Sequence, residues 1–133
     1  MGSSTAQYGL NGRWVRSRAI TSADTNSTVA ILDVPAGTFI PPFGISIYVD
    51  PLFAGGTPSI DIGDGDDTDG WIDTTEITEA TKGTYGGHTN TYALNGKVYL
   101  TADTIDAVCS ASMTAGEAYV LCYMVDVSDV IDD

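Results

Sequence analysis

The sequence predicts an all-β fold, an antiparallel two-sheet β-sandwich of which a jelly roll is one form, with an extended N-terminal arm. Two observations predict it. No stretch of the 133 residues sustains a helical period, and short runs rich in β-branched and aromatic residues recur between clusters of Gly, Pro, Asp and Asn. Length adds a third: a chain of this size is one domain that buries roughly two thirds of the surface its unfolded form exposes.

Each run has its own reason to be a strand. RWVRSRAI (13–20) places Trp14, Arg16 and Arg18 on one side of an extended segment, an aromatic and two guanidiniums of the kind enriched where proteins meet, although an ordinary edge strand with exposed arginines reads equally well. STVAILDVP (27–35) is β-rich and runs into the turn residues PAGTF. GISIYVD (44–50) and PSIDIG (58–63) alternate, the latter with Ile60 and Ile62 on one face. TNTYALN (89–95) and KVYLTA (97–102) flank the turn LNGK, and TIDAVCSA (104–111) follows. Between PSIDIG and TNTYALN, EITEATKGTY (76–85) supports one short helical turn that stops at Gly83. In the last run, EAYVLCYMVDV (117–127), alternate positions from Ala118 to Met124 and from Tyr119 to Val127 are all apolar or aromatic. Both faces of that strand want cover, so the face turned from the core needs a loop or another subunit.

The 18 acidic residues outnumber the 5 basic ones, for a net charge of −13. Such a body repels phosphate backbones, which argues against nucleic acid as a partner. Arg13, Arg16 and Arg18 all precede the first acid, Asp24, so residues 1–23 carry +3; Lys82 and Lys97 are the other cations, leaving −16 on residues 24–133. The division is into an arm with the first strand (1–23) and a sandwich body (24–133). An arm opposite in sign to its body attracts a neighbouring copy or an acidic partner. No run approaches the roughly 18 apolar residues of a membrane helix. The start MGSSTAQYG lacks a signal's basic and apolar regions, so synthesis and residence in a cytosol are expected.

The cluster SIDIGDGDDTDGW (59–71) raises the question of a metal site. Read as an EF-hand loop, Asp67, Asp69 and Glu76 fall on ligand positions, but Gly65 takes the first and a strand-like run enters where a helix is required. No metal or cofactor is assigned; a weak exposed cation site on Asp64, Asp66, Asp67 and Asp69 stays the alternative to a solvated turn. No catalytic residue is assigned either. Carboxylates on an open Gly-rich loop have nothing to raise a pKa, and His88, the single histidine, lies in the polar turn TYGGHTNTY without an orienting partner. Cys109 and Cys122 lie in apolar runs, where buried free thiols are expected. A hairpin turning at Ala115-Gly116 would set them opposite each other for a disulfide; a turn one residue earlier would not.

The ordered series VAILDVPAGTFI, GISIYVD, GGTPSIDIGDGDDTDGWI and LTADTIDAVCSASMTAGEAYVLCYMVDV, spanning about residues 29–126, resembles a group of small β-sandwich structural proteins of tailed-phage virions, of the capsid decoration or cement type. The resemblance implies that the aspartates form a hairpin turn, with Ile60 and Ile62 inward, Gly63 and Gly65 reversing the chain and Trp71 returning to the core. It implies assembly in the host cytoplasm and residence on the outer capsid surface of the virion. The major capsid protein is then the partner, in a homo-oligomer expected to be a trimer, with no membrane and no enzymatic role. Arg13, Trp14, Arg16 and Arg18 are the expected partner-binding residues. A carbohydrate- or receptor-binding β-sandwich module, with Tyr85, Tyr92, Tyr99 or Trp71 as stacking platforms, and a minor tail or connector protein are the alternatives.

Overall fold

The computed structural model describes residues 9–131. Its strands are β1 (Gly12–Arg16), β2 (Ile20–Thr21), β3 (Thr28–Val34), β4 (Thr38–Ile40), β5 (Ile45–Val49), β6 (Ile60–Gly63), β7 (Gly83–Gly86), β8 (Lys97–Tyr99), β9 (Asp103–Cys109) and β10 (Glu117–Asp126). They form two antiparallel sheets. The sandwich the sequence predicts is the fold.

The longest strand, β10, organises the larger sheet. β1 pairs with Leu121 to Val125 and β2 with Glu117 and Ala118, while β5 pairs with Ala118 to Cys122 and β4 with Val125 and Asp126. Because β1 and β5 both pair with Leu121 and Cys122, they occupy opposite edges; β2 lies in line with β1, and β4 in line with β5. β7 and β8 extend the sheet outside β5 and β4. The turn Pro41-Pro42-Phe43-Gly44 interrupts what would otherwise be one long strand, since Pro cannot donate to the ladder and Phe43 takes φ 59°. The smaller sheet has the order β3-β9-β6, with a register shift between Ala30 and Leu32.

The core lies between the sheets and follows period-two alternation. Ala118, Val120, Cys122 and Met124 face inward from β10, Ile45, Ile47 and Val49 from β5, Ile105, Ala107 and Cys109 from β9, and Ile60 and Ile62 from β6. Ile20 and Trp71 are fully covered.

Several local readings change. The run 13–20 is broken at buried Ser17, whose N–H reaches Val120 O at 2.9 Å and whose hydroxyl accepts from Val120 N, so the chain leaves β10 and re-pairs as β2. The segment expected to be a strand at 89–95 is instead a short helix, α1 (Thr91–Asn95), closed by Gly96 at φ 73°. β4 and β7 fall where turn chemistry was read. β9 and β10 lie in different sheets, so no hairpin turns at Ala115-Gly116 and both cysteines are buried free thiols. Burial pushes the Cys109 thiol up to about 11 and the Cys122 thiol up to about 12.

Candidate assembly surface

Alternation in β10 that turns Val120 and Cys122 inward turns Tyr119, Leu121, Tyr123 and Val125 outward. Register carries this face across the sheet in four rows: Gly12, Val125, Phe39 and Val98; Trp14 and Tyr123; Arg16, Leu121, Ser46 and Gly86; Tyr119, Tyr48 and Thr84. Aromatic and aliphatic side chains dominate these rows, and the next row, Glu117 and Thr21, sets a carboxylate beside Tyr119 at the margin of the face. Among the described residues no loop closes over the face: Trp14 is 64% exposed, and Tyr48 and Val98 are also exposed. Of the two covers that β10 could have had, the described residues supply no loop in this region.

The side chains on this face are held in place. Trp14 meets Tyr123 edge to face at 5.3 Å between ring centroids, and the Arg16 guanidinium lies 4.7 Å from the Tyr119 ring centre. The Tyr123 ring rests over Gly12, where a Cβ would come within 2.3 Å of its hydroxyl. Tyr48 donates its hydroxyl hydrogen to Asp50 at 2.9 Å, beyond the end of β5.

The four residues singled out in the arm divide by direction. Trp14 and Arg16 lie on the outer face. Arg13 pairs with Met124 and belongs to the opposite set, at the rim near Asp126. Arg18 lies past the break at Ser17 and forms a two-pronged ion pair with Asp24, both bonds 3.1 Å. That hydrogen bond raises the Arg18 pKa; against the burial that opposes ionisation, it and the Thr21 N–H hold the Asp24 carboxyl below its ordinary value. Gly12–Arg16 and Ile20–Thr21 are strands of their own body's sheet.

The outward face of the smaller sheet is of a different kind. Its rows hold Asp33 beside Thr104, Asp106 beside Ala30 and Gly63, and Asp61 beside Val108 and Thr28. The molecule thus has an acidic side and, across the sandwich, an aromatic side whose carboxylates, Glu117 and Asp50, stand at its margin against Tyr119 and Tyr48.

The aspartate loop is a hairpin turn, as the resemblance implied, with Ile60, Ile62 and Trp71 inward. Asp64, however, is not solvated: it is fully buried and accepts hydrogen bonds from Lys97 Nζ at 2.7 Å, Tyr99 OH at 2.8 Å and the backbone N–H groups of Asp66 and Asp67. Burial alone would raise the Asp64 pKa, but these donors outweigh it and hold the carboxyl below its usual value, while the Lys97 pKa rises. Lys97 also reaches Asp66 at 3.3 Å and lies over the Tyr92 and Tyr99 rings. An internal ammonium occupies the place where a cation had been considered. A second acidic group, Asp61, Asp69 and Asp73, lies on the outer side. There the hydrogen bond with the Asp67 carboxyl, with burial and Asp73 adding to it, pushes Asp69 up to about 6. Sequence reasoning missed the buried pair, although Asp64 continues the inward parity of Ile60 and Ile62. Trp71 and Tyr99, offered as sugar platforms, are buried, with the Trp71 indole donating to Tyr99 OH at 3.0 Å.

This geometry defines a class, a small two-faced β-sandwich with one uncovered sheet. No family model and no curated protein matches the chain. Two solved structures match its fold. One is a chain of the cyanophage Pam1 capsid asymmetric unit, 14% identical, with a TM-score of 0.63 over 94% of this chain and 96% of that one. The other comes from the acid-stable capsid of Helicobacter pylori bacteriophage KHP30, 13% identical, with a TM-score of 0.58 over 86% of this chain and 93% of that one. The near-complete coverage both ways means that each matched chain is itself about as small as this one.

Proposed function

We propose that the protein is a structural component of a phage virion, and within it a head decoration (cement) protein bound on the outer capsid face. The observation that carries the reading is the uncovered aromatic face of the larger sheet, on a fold that two phage capsids also contain. Side chains already locked in place lose little freedom on docking, which suits a protein whose work is contact. The major capsid protein is the partner, and the protein acts by bridging neighbouring subunits so that internal pressure has more buried contact to overcome. Trp14 and Arg16 are the anchors and Arg13 a rim contact; Arg18, spent on Asp24, orients the strand. The role is non-catalytic, and copies are made in the host cytoplasm and added to the head as a homo-oligomer.

Heads of the encoding phage, purified without this protein, provide the test. Wild-type protein should co-sediment with them and raise the temperature at which they open, and Trp14→Ala should lose both effects. Failure of the wild type to bind heads, together with binding on a glycan array, would overturn the reading in favour of the receptor-binding alternative. Binding to isolated tails alone would favour the minor tail or connector reading.

A further inference from the structure

We infer that Phe43 is a further anchor of the assembly surface, a ring that enters an apolar pocket of the same partner. The inference deepens the head-binding reading and rests on it. The first argument is conformational. Phe43 sits in the turn Pro41-Pro42-Phe43-Gly44 at φ 59°, a left-handed backbone that Gly or Asn adopts at least cost. The turn itself is fixed by backbone groups alone: Phe43 N–H donates to Ala93 O and Gly44 N–H to Pro41 O, both at 2.9 Å. Any residue could make those bonds. The Phe43 side chain adds little to the fold, since the residue is 61% exposed and stands outside the core. A bulky aromatic held in a strained conformation and left in water weakens the free protein twice over. Burial of the ring against another surface recovers the second loss, and strain of this kind gathers where a protein makes its contacts.

Position supplies the second argument. Gly44 O accepts from Tyr123 N at 2.8 Å, so the turn adjoins the row that holds Trp14 and Tyr123. On its other side lies α1, where exposed Leu94 is one residue from the Ala93 carbonyl that holds Phe43. Residues 41–44 and 90–96 carry no charged side chain. Phe43 and Leu94 therefore continue the aromatic face with chemistry of the same kind.

Size is the third. Four strands at about 4.8 Å spacing and about five residues at about 3.3 Å rise give a plane of roughly 300 Å². A standard interface takes about 800 Å² per partner, so a stable contact reaches past the sheet. At one margin it would meet Glu117 and Asp50, whose carboxylates resist the loss of water. Across the turn it meets only neutral groups. The partner's complementary site is accordingly an uncharged recess lined by aliphatic or aromatic side chains, the setting in which a single buried ring contributes most to binding.

The test is equilibrium binding of the full-length chain to heads purified without it, with thermal unfolding of the same variants measured alongside. Phe43→Gly and Phe43→Asn both suit the left-handed backbone. They should unfold at or above the wild-type temperature and yet bind heads about tenfold more weakly or worse. Leu52→Ala removes another exposed apolar side chain, beyond the Asp50 margin, and should bind like the wild type. Wild-type affinity in both Phe43 variants overturns the inference and leaves the head-binding reading standing, as does a loss in Leu52→Ala as large as theirs. Unfolding of both Phe43 variants well below the wild-type temperature also overturns it, because the ring would then serve the fold. Failure of the wild-type chain to bind heads is a separate outcome that removes the head-binding reading itself, and the inference with it.

Discussion

At the residue scale the strongest commitment is the pair Asp64 and Lys97. It joins the end of β6 in one sheet to β8 in the other, with a fully buried carboxylate and an ammonium only 18% exposed. Removing one partner of a buried pair strands the other, so Lys97→Met should cost about 3–5 kcal/mol in urea unfolding. Asp64→Asn/Lys97→Met together should recover much of that loss. The pH dependence has a defined sign. The folded Asp64 pKa lies below its unfolded value, so its stabilisation is complete above the ordinary carboxylate range and lost only as pH falls through the lowered value. Asp69 runs the opposite way: raised to about 6, it favours the fold at low pH and withdraws that support as pH rises through 6. Asp69→Asn should therefore raise the thermal midpoint at pH 8 and leave it nearly unchanged at pH 4. Phe43 holds a left-handed φ of 59° and is 61% exposed. Phe43→Gly should gain about 1 kcal/mol, since little burial is lost and the steric cost of a Cβ there is removed. Parity alone could have placed Asp64 inward, but its cation is 33 residues away and nothing local announces it.

At the element scale, β1 and β2 are the segments whose role depends most on tertiary context. Composition marks residues 1–23 as a basic arm with the first strand, and the described part of it pairs with β10 and supplies Ile20 to the core. Ile20→Ala should cost about 2–5 kcal/mol by thermal or urea unfolding. A chain starting at Ser22 should show a collapsed melting transition in circular dichroism, because β10 would lose its partner along one whole edge. Strands with strong alternation, β3, β5, β6, β9 and β10, were legible because burial on one face writes period two into the sequence. β4 and β7 were not, since Thr38-Phe39-Ile40 sits between Gly and Pro, and β7 is Gly-Thr-Tyr-Gly, too short and too rich in Gly to show a period. The helix α1 escaped for a related reason: Thr-Tyr-Ala-Leu-Asn is a single turn, and Thr and Tyr favour strands.

At the scale of the whole molecule, the sandwich sorts its charge. Carboxylates gather on the smaller sheet's outer face and on the loops, while the larger sheet shows mainly aromatic and aliphatic groups to its surroundings, with Glu117 at the margin beside Tyr119. The doubly apolar pattern of residues 118–127 already pointed to a second covered face; the register of β1, β4, β5 and β8 shows that Trp14, Phe39, Tyr48 and Val98 belong to the same surface. Neither composition nor spacing could have joined residues so far apart in the chain. The measurement that tests the central claim most directly is a cryo-electron microscopy reconstruction of the virion whose genome encodes the chain. The account predicts density for this sandwich on the outer head lattice, with Trp14, Tyr48 and Tyr123 in a protein contact and Asp33 and Asp106 toward solvent. A head without this density, or one in which the Trp14 face looks into solvent, would contradict it.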